Sequence, residues 1–300
     1  MSKTLDVNII SGSRDNTIKL WNIQSSVLNN VSTIGSHNAW VYSVDVSPDK
    51  SKLISGSYAT SKNYKNYGSV KIYEMDYFRV IKEYNTGGTR NTFFSPDGKN
   101  IIYSDNNVHI YDLESDKPIL EKITKQSWPI RCLAYSPDGR MFAINSGKCA
   151  KIYDIRSNEK IKKFELIDIV GSFSFSPDMN QFVTGDYNQI LSFWDFGTEK
   201  LIVSCDHNNG THIYSINYSV DGKYIVSGDQ VGQINMWNST TYELLKTFKQ
   251  KGYVSQVKFI DNETFVSGSY DSVVNLWNID SGKIMTLSNH SECVECVCSF

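Results

Sequence analysis

Several features of membrane, secreted and nucleic-acid-binding proteins are missing from this chain of 300 residues. No run of 18 apolar residues could cross a bilayer, so we expect no membrane insertion. The segment Met1–Val7 has no apolar stretch like that of a signal peptide, and we therefore expect a reducing setting, cytoplasmic or nuclear. The 30 Lys and Arg residues nearly balance the 32 Asp and Glu residues and are dispersed, which disfavours nucleic-acid binding.

The motifs of common enzymes and zinc sites are missing as well. The chain has only five His residues and contains no GlyXaaSerXaaGly elbow, no phosphate-binding loop and no HisGluXaaXaaHis helix. It has six Cys residues, three of them in the tract Cys293-Val-Glu-Cys296-Val-Cys298. On a strand, Cys296 and Cys298 share one face and Cys293 takes the other, so they cannot easily hold one ion. We predict buried apolar thiols rather than a metal site or redox-sensitive thiols, and no cofactor.

What the sequence does contain is a repeat built on aromatic residues. Each of seven Trp or Tyr residues, which we call anchors, ends a short alternating segment and is followed by Asp, Glu or Asn. Their successive spacings are 52, 38, 42, 41, 43 and 40 residues, a period typical of propeller blades. The anchors are Trp21, Tyr73, Tyr111, Tyr153, Trp194, Trp237 and Trp277.

Each repeat can be divided into four short strands separated by turn residues. Helical periodicity never persists for three turns, and the regular strand spacing predicts an all-β radial architecture. In the third repeat the predicted strands are Arg90–Phe94, Asn100–Ser104, Val108–Leu113 and Pro118–Ile123. Seven such repeats predict a seven-bladed β-propeller of four-stranded antiparallel blades, because stacked neighbours bury the faces that one sheet cannot bury alone.

The two ends of the chain predict how this ring closes. The 23 residues after Trp277 and the 21 up to Trp21 together span one more period. The segment Glu292–Phe300 is spaced like an inner strand, and Leu5–Ser13 is spaced like the second strand of a blade. We therefore predict a single domain over residues 1–300, whose closing blade combines residues 292–300 with residues 5–34.

Two segments carry the repeat in its fullest form, Ser11 to Trp21 and Ser267 to Trp277. In each, a Ser lies four residues before an Asp, and the Trp lies six residues after that Asp. These segments resemble the WD-repeat (WD40) β-propeller family, and the resemblance extends over the whole chain. It implies a hydrogen-bonded tetrad that satisfies buried polar groups between strands. The matching residues are His290, Ser11, Asp15 and Trp21, the one complete set that we expect, and they join the two chain ends.

Other blades lack members of the tetrad. The segment 249–252 stands where the blade of Trp277 would have its His, and the blade of His37 and Ser55 lacks the Asp and the Trp. A His, an Asp and a Ser can also form a hydrolytic triad, but that chemistry needs an exposed nucleophile and an oxyanion hole. We therefore predict no enzyme and no catalytic residue. The competing class is a propeller enzyme with a site in the central channel, where Asp45 and Glu295 are the exceptional carboxylates.

In the WD-repeat family, the rim formed by the loops that enter the inner strands and by the tight turns commonly binds peptides or protein domains. Here that rim is rich in Trp, Tyr and Arg, which dominate interface hot spots, although some of these rings could instead pack between blades. The rim candidates are Arg14, Trp40, Tyr42, Arg90, Trp128, Arg131, His212, Tyr214, Tyr253, Tyr270 and Glu295. The resemblance implies a monomeric scaffold for protein or peptide partners in a multiprotein complex.

Two further segments suggest more specific roles. The long spacing after Trp21 places an extra loop at Tyr58–Gly68, which either projects from the rim to grip an acidic or extended partner or is a neutral expansion. The segment Tyr153-Asp154-Ile155-Arg156 is similar to the TrpAspXaaArg motif by which some WD-repeat proteins dock on the adaptor of cullin-type ubiquitin ligases. Tyr replaces Trp here, so the alternative role of a ubiquitin-ligase substrate receptor competes with a plain strand end.

Overall fold

A computed structural model of the chain describes residues 5–59, 68–120, 130–207 and 211–300. These residues form seven four-stranded antiparallel sheets arranged in a ring, which confirms the predicted all-β propeller. Residues 60–67 of the extra loop and the rim candidate Trp128 lie outside the described residues. Across the described ranges, no helix is long and apolar enough to cross a membrane.

Each blade runs from an inner strand beside the central channel to an outer strand at the periphery, and we number strands and blades in chain order. The closing blade contains β1 (Val7–Ser13), β2 (Thr17–Gln24), β3 (Val27–Ser36) and the inner strand β28 (Val294–Ser299). Blade 2 contains β4 (Trp40–Val46), β5 (Lys52–Tyr58), β6 (Gly68–Glu74) and β7 (Arg79–Thr86). Blade 3 contains β8 (Asn91–Phe94), β9 (Asn100–Ser104), β10 (Val108–Asp112) and β11 (Pro118–Leu120).

The remaining four blades follow the same order. Blade 4 contains β12 (Leu133–Tyr135), β13 (Met141–Ser146), β14 (Cys149–Asp154) and β15 (Lys160–Glu165). Blade 5 contains β16 (Val170–Phe175), β17 (Gln181–Asp186), β18 (Ile190–Asp195) and β19 (Leu201–Asp206). Blade 6 contains β20 (Ile213–Tyr218), β21 (Tyr224–Asp229), β22 (Gln233–Asn238) and β23 (Leu244–Lys249). Blade 7 contains β24 (Val254–Phe259), β25 (Thr264–Ser269), β26 (Val273–Asn278) and β27 (Gly282–Ser288).

The ring closes as the sequence predicts, through the last strand of the chain. Strand β28 pairs antiparallel with β1, so that Ile9 lies opposite Ser299 and Ile10 lies opposite Cys298. Val297 of β28 packs against blade 7, whereas Cys298 packs against blade 2. The closing blade therefore belongs to both chain ends, and its outer strand continues to Ser36, two residues beyond the predicted boundary.

Apolar clusters lie at each of the seven contacts between neighbouring blades. The middle strands are covered on both faces, and every residue of β25 is buried. Glycines near the tight turns allow the inner strand of the next blade to approach closely. A Cβ atom on Gly228 would lie 2.3 Å from Val254 Cγ1 of blade 7, far inside van der Waals contact, so a larger residue would push the two blades apart.

Polar side chains link neighbouring inner strands around the channel. Ser215 Oγ accepts from Val257 N at 2.9 Å, and Asn217 Oδ1 accepts from Phe259 N at 2.8 Å. In the same way, Asp45 Oδ2 accepts from Phe94 N at 3.1 Å. These bonds satisfy backbone groups that strand pairing leaves free, and they fix the spacing of the strands that form the channel mouth.

Candidate functional site

The mouth of the central channel opens into a cavity of about 510 Å³ to which every blade contributes side chains. The loops that enter the inner strands and the tight turns meet here, because both lie at the same end of each antiparallel blade. The predicted rim residues that line the cavity are Arg14, Tyr42, Arg90, Arg131, Tyr214, Tyr253, Tyr270 and Glu295. Trp40 and His212 lie beside these residues, in contact with Arg14 and Tyr214 respectively.

Arg14, in the tight turn of the closing blade, is held by residues of three blades. Its guanidinium carbon lies 4.5 Å from the ring centres of both Trp40 and Tyr270. Its Nη2 donates to the Tyr270 hydroxyl at 2.5 Å, and its Nε contacts the buried carboxylate of Glu295. Burial raises the pKa of Glu295 although Arg14 opposes that rise. The guanidinium of Arg14 is thus occupied by contacts within the chain.

A row of tyrosine rings continues from Arg14 across blades 7, 6 and 5. Ring centres lie 4.2 Å apart between Tyr270 and Tyr253, 4.5 Å apart between Tyr253 and Tyr214, and 5.5 Å apart between Tyr214 and Tyr187. Tyr187 also stacks on His212 at 4.3 Å. The four tyrosines are half-buried, and burial raises the pKa of Tyr253 and Tyr270. The row therefore offers aromatic surface with neutral hydroxyl groups at the mouth.

Arg90 and Arg131, on the neighbouring blades 3 and 4, form another side of the mouth. The Arg90 guanidinium carbon lies 4.3 Å from the ring centre of Tyr58, and Arg131 Nη1 donates to the Tyr187 hydroxyl at 2.6 Å. Asn91 Nδ2 donates to the Arg131 carbonyl at 3.2 Å, which ties the two blades together. Within the ranges that the structure describes, neither guanidinium forms an ion pair with a carboxylate, although the charge of Arg90 also acts on Glu295 across the cavity.

The two exceptional carboxylates of the channel are both paired with cations. Glu295 contacts Arg14, and Asp45 Oδ1 lies 3.2 Å from Lys258 Nζ. Burial alone would lower the pKa of Lys258, but the nearby Asp45 carboxylate outweighs burial and raises it. Each carboxylate therefore has a cationic partner within the chain.

Apolar side chains form the channel wall beneath Arg90 and Arg131. Phe93 and Ala134 each follow one of these arginines by three residues along an inner strand, and both line the cavity. On blade 5 the ring of Phe173 is buried against Phe182, and Ser172 and Ser174 line the cavity. Since an inner strand runs from the rim into the channel, Phe93 and Ala134 lie farther in than the two arginines, and polar side chains such as Ser174 and Asn217 also line the cavity.

The tetrad residues contact one another where the two chain ends meet. Ser11 Oγ lies 2.8 Å from His290 Nε2 and accepts from Trp21 Nε1 at 2.8 Å, while His290 Nδ1 lies 2.8 Å from Asp15 Oδ2. Burial alone would raise the pKa of Asp15, but hydrogen bonds from Thr17 and His290 outweigh it and lower the pKa. Ser11 has no exposed surface, so its hydroxyl cannot attack a substrate from the cavity.

Blade 6 contains a related set of residues, in which hydrogen bonds join the Ser, the His and the Trp. Ser227 Oγ lies 2.9 Å from His207 Nε2 and accepts from Trp237 Nε1 at 2.9 Å. His207 Nδ1 lies 3.5 Å from Asp229 Oδ2. The set escaped the sequence pattern because Asp229 follows its Ser by two residues instead of four. The Asp is therefore supplied from the end of β21 rather than from the tight turn.

Blade 7 replaces the His of the tetrad with an amide. Gln250 Oε1 accepts from Ser267 Oγ at 2.7 Å and from Asn275 Nδ2 at 3.2 Å, and Trp277 Nε1 donates to Ser267 Oγ at 2.9 Å. The segment 249–252, where a His is expected, thus supplies a neutral group at the same place. A buried Trp N–H needs an acceptor, and in this blade the Ser hydroxyl provides it without any ionisable partner.

The thiols of the last strand lie where the strand pattern predicts. Cys296 and Cys298 are buried in the apolar cluster against blade 2, whereas Cys293 Sγ donates to the Tyr270 carbonyl at 3.3 Å. Burial raises the pKa of Cys298 to about 12. Across the described parts of the chain, no three His, Cys, Asp or Glu side chains converge as metal ligands would.

The segment Tyr153–Arg156 ends a strand at the face of the ring opposite the mouth. The Tyr153 ring is buried against Phe142, with 5.4 Å between ring centres. Asp154 Oδ1 accepts from the backbone N–H groups of Arg156 and Ser157 at 3.0 and 2.8 Å. The residue after the anchor caps the same turn in four other blades, at Asp112, Asp195, Asn238 and Asn278. This repeated cap gives the Asp or Asn after these five anchors a local structural use.

Two mouth residues were not among the predicted rim candidates. Tyr187 stacks in the tyrosine row, and Tyr58 stacks on Arg90. Both lie two residues after a glycine near the end of the second strand of a blade, as two of the predicted candidates do. The four glycine and rim pairs are Gly12 with Arg14, Gly56 with Tyr58, Gly185 with Tyr187, and Gly268 with Tyr270. That spacing is the sequence signal that identifies the position.

Comparisons with known proteins match the repeats seen in the structure. The family model described as "WD domain, G-beta repeat" matches residues 3–22, 28–73 and 242–278. A second model, "Eukaryotic translation initiation factor eIF2A", matches residues 98–231, which lie between those segments. The chain is similar to the putative BTB/POZ domain and WD-repeat protein R61 of Acanthamoeba polyphaga mimivirus, at 26% identity over 262 residues, with coverage of 80% of this chain and 50% of that protein.

Two further relatives come from cellular organisms. The serine-threonine kinase receptor-associated protein of Gallus gallus is 25% identical over 239 residues, which cover 77% of this chain and 64% of that protein. Protein SOF1 of Saccharomyces cerevisiae (strain ATCC 204508 / S288c) is 24% identical over 271 residues, which cover 81% of this chain and 52% of that protein. The chain thus spans about half to two thirds of the length of the curated relatives it matches.

Proposed function

The chain belongs to the WD-repeat β-propeller family, and we propose that it is a non-enzymatic interaction scaffold that binds a peptide or protein segment at the channel mouth. The observation that carries this proposal is the convergence of eight rim candidates from six blades around one cavity. They combine aromatic area, hydroxyl groups and guanidinium groups, the chemistry that dominates protein interfaces.

A rigid ring suits this role for a thermodynamic reason. The tyrosine row and Arg14 are fixed by contacts within the chain, so a partner would not have to order them on binding. Preorganisation of this kind lowers the entropic cost of association, and several loops on one ring can hold more than one segment of a partner. We propose protein or peptide partners within a multiprotein complex, a monomeric propeller, and a location in the cytoplasm or nucleus.

The printed names of two relatives agree with an interaction role. The Gallus gallus relative is named for its association with a serine-threonine kinase receptor, and the mimivirus relative is named for a BTB/POZ domain together with WD repeats. Binding to other proteins is the property that we carry over to this chain. Fold alone does not choose the partner, so we carry over no pathway.

The test compares two faces of the ring. We would capture partners from the source cells with the wild-type chain, with a rim variant carrying Trp40→Ala, Arg131→Ala and Tyr214→Ala, and with a control carrying Tyr77→Ala and Arg140→Ala. The control residues are exposed and lie in turns at the opposite face. All three proteins must melt alike before capture.

The expected result is a set of partners lost with the rim variant and kept with the control. Partners that both variants retain would contradict recognition at the mouth. A partner lost only when Arg156 is changed to Ala would instead favour docking on a ubiquitin-ligase adaptor through the segment 153–156, which we keep as a separate outcome.

A further inference from the structure

Three arginines line the channel mouth, but only one has a carboxylate partner. Arg14 contacts Glu295, whereas Arg90 and Arg131 contact tyrosine side chains and, among the described residues, no acidic group. The chain as a whole has a formal charge of −2, so this local excess of positive charge is not a general property of its surface. A partly enclosed cavity concentrates the field of such charges and attracts anions.

We propose that the segment bound at the mouth is acidic, an inference that rests on the proposed interaction function. Arg90 and Arg131 hold a Glu or Asp carboxylate of an extended peptide. A neighbouring apolar side chain of the same peptide packs deeper in the channel on Phe93 and Ala134. The mouth therefore recognises an acidic residue next to an apolar one.

Both guanidinium groups are already oriented for this contact. Arg90 stacks on Tyr58 at 4.3 Å and on Tyr42 at 5.0 Å, and the Tyr187 hydroxyl fixes one nitrogen of Arg131. The hydrogen bond from Asn91 to the Arg131 carbonyl fixes the relative position of the two inner strands. A guanidinium group donates two parallel hydrogen bonds to a carboxylate, and its prior orientation reduces the entropy lost on binding.

The charges favour a carboxylate over a phosphate or a nucleic acid. The buried carboxylate of Glu295 lines the same cavity and repels a dianion more strongly than a monoanion. Only two arginines at the mouth are without a direct ion pair among the described residues, whereas nucleic-acid surfaces neutralise many phosphates. The apolar wall beneath the arginines suits a side chain of a peptide.

The test is a selection of phage-displayed random 12-residue peptides on purified propeller. The mouth variant carries Arg90→Gln and Arg131→Gln, and the matched control carries Arg79→Gln and Arg140→Gln, two exposed arginines of the opposite face. Both variants lose the same formal charge, so a general electrostatic effect would appear in both. Thermal melting checks their folding, and a variant with Lys at positions 90 and 131 serves if the Gln variant does not fold.

We expect the wild type and the control to enrich peptides in which Asp or Glu adjoins an apolar residue. An enriched peptide, followed by fluorescence anisotropy, should bind the mouth variant at least about tenfold more weakly. Changing its acidic residue to the neutral amide should weaken binding to the wild type by a similar factor and change binding to the mouth variant little. This double-mutant cycle assigns the contact to the two arginines.

Several results would overturn the inference. They are the absence of enriched peptides, enrichment of neutral or basic peptides, acidic enrichment that persists with the mouth variant, and displacement of the peptide by a phosphopeptide or a short DNA strand at lower concentration. If the rim variant still loses its captured partners, such a result overturns the acidic preference alone. If the rim variant instead retains its captured partners, both the acidic preference and the proposed function are overturned.

Discussion

Blade 6 and blade 4 are copies of one repeat that fill their centres in different ways. In blade 6, Trp237 donates to Ser227, which also contacts His207. In blade 4 the equivalent positions, fixed by strand register, are Tyr153 and Ile144, and that centre is an apolar contact. The repeat therefore preserves burial of an aromatic anchor against the second strand, and the polar network is an addition that a blade can lose.

The inner strands of these two blades differ as well. Strand β20 has six residues, whereas β12 has only three. The backbone N–H groups of Arg131 and Cys132 instead donate to Asn145 Oδ1 at 2.7 and 3.0 Å. The less regular blade is thus the one that presents an unbalanced arginine at the mouth. Departures from regular pairing often mark functional positions, because the scaffold stabilises them elsewhere.

We expect the largest loss of stability from removing β28, the strand that closes the ring of blades. Deletion of residues 292–300 removes β28 and with it buried residues at two blade contacts, including Val294, Val297 and Cys298. Burial of each such side chain contributes about 1.5 to 3 kcal/mol, so we expect a loss of more than about 5 kcal/mol. Chemical denaturation measures the change, with deletion of Phe300 alone as the control. Unchanged unfolding would contradict closure through β28.

A direct test of the comparison removes one group from each blade centre. Ser227→Ala leaves Trp237 Nε1 and His207 Nε2 without their shared partner in a buried site, and we expect a loss of about 3 kcal/mol. Ile144→Val in blade 4 removes one buried methylene and should cost about 1 kcal/mol. Urea unfolding of both variants measures the difference. Equal losses would mean that the Ser227 hydroxyl stabilises blade 6 by no more than one buried methylene stabilises blade 4.

Much of the fold was predictable because short sequence patterns identify each repeat. The anchors and turn residues predicted the blades and the closure through β28, since each depends on neighbours in the chain or on the period. The tetrad that contains Ser11 could be predicted from the sequence for the same reason. The related set in blade 6 could not, because Asp229 reaches His207 from a strand end and the pattern places the Asp in the tight turn.

The candidate site was predictable only in part, because its charges depend on packing between blades. The types and positions of the rim residues follow from the repeat. The sequence does not reveal which arginine forms an ion pair, because Arg14 and its partner Glu295 are 281 positions apart in the chain. Likewise, the backbone N–H of Arg131 donates to the side-chain amide of Asn145, 14 residues later, and no local sequence pattern predicts this hydrogen bond.

A smaller effect separates the histidine of blade 2 from that of the closing blade. His37 lies between the hydroxyl groups of Ser55 and Ser69 without a carboxylate, and burial, with Lys71 nearby, lowers its pKa to about 3. In the unfolded chain a His takes up a proton near pH 6.5, so the free energy of unfolding falls as the pH drops from about 6.5 toward 3.

We therefore expect that His37→Gln makes stability less sensitive to acid. The difference in unfolding free energy between the wild type and the variant should change in favour of the variant by about 2.7 kcal/mol between pH 7.5 and pH 4.5. Urea unfolding at both pH values measures it. Identical pH dependence in the two proteins would show that His37 is protonated in the folded state or that another group controls the slope.

The smallest stability effect, but the most informative for the site, is expected from Asn145→Ala. The N–H groups of Arg131 and Cys132 lose their acceptor, but water in the adjacent cavity can replace it, so we expect a loss of only about 1 kcal/mol. The matched control is Asn235→Ala in blade 6, which removes an equally buried amide far from the arginines. Urea unfolding and binding of the acidic peptide are measured together. If the blade 4 irregularity serves recognition, Asn145→Ala weakens the peptide severalfold and Asn235→Ala does not. Equal peptide affinities would mean that β12 is short for reasons of packing alone.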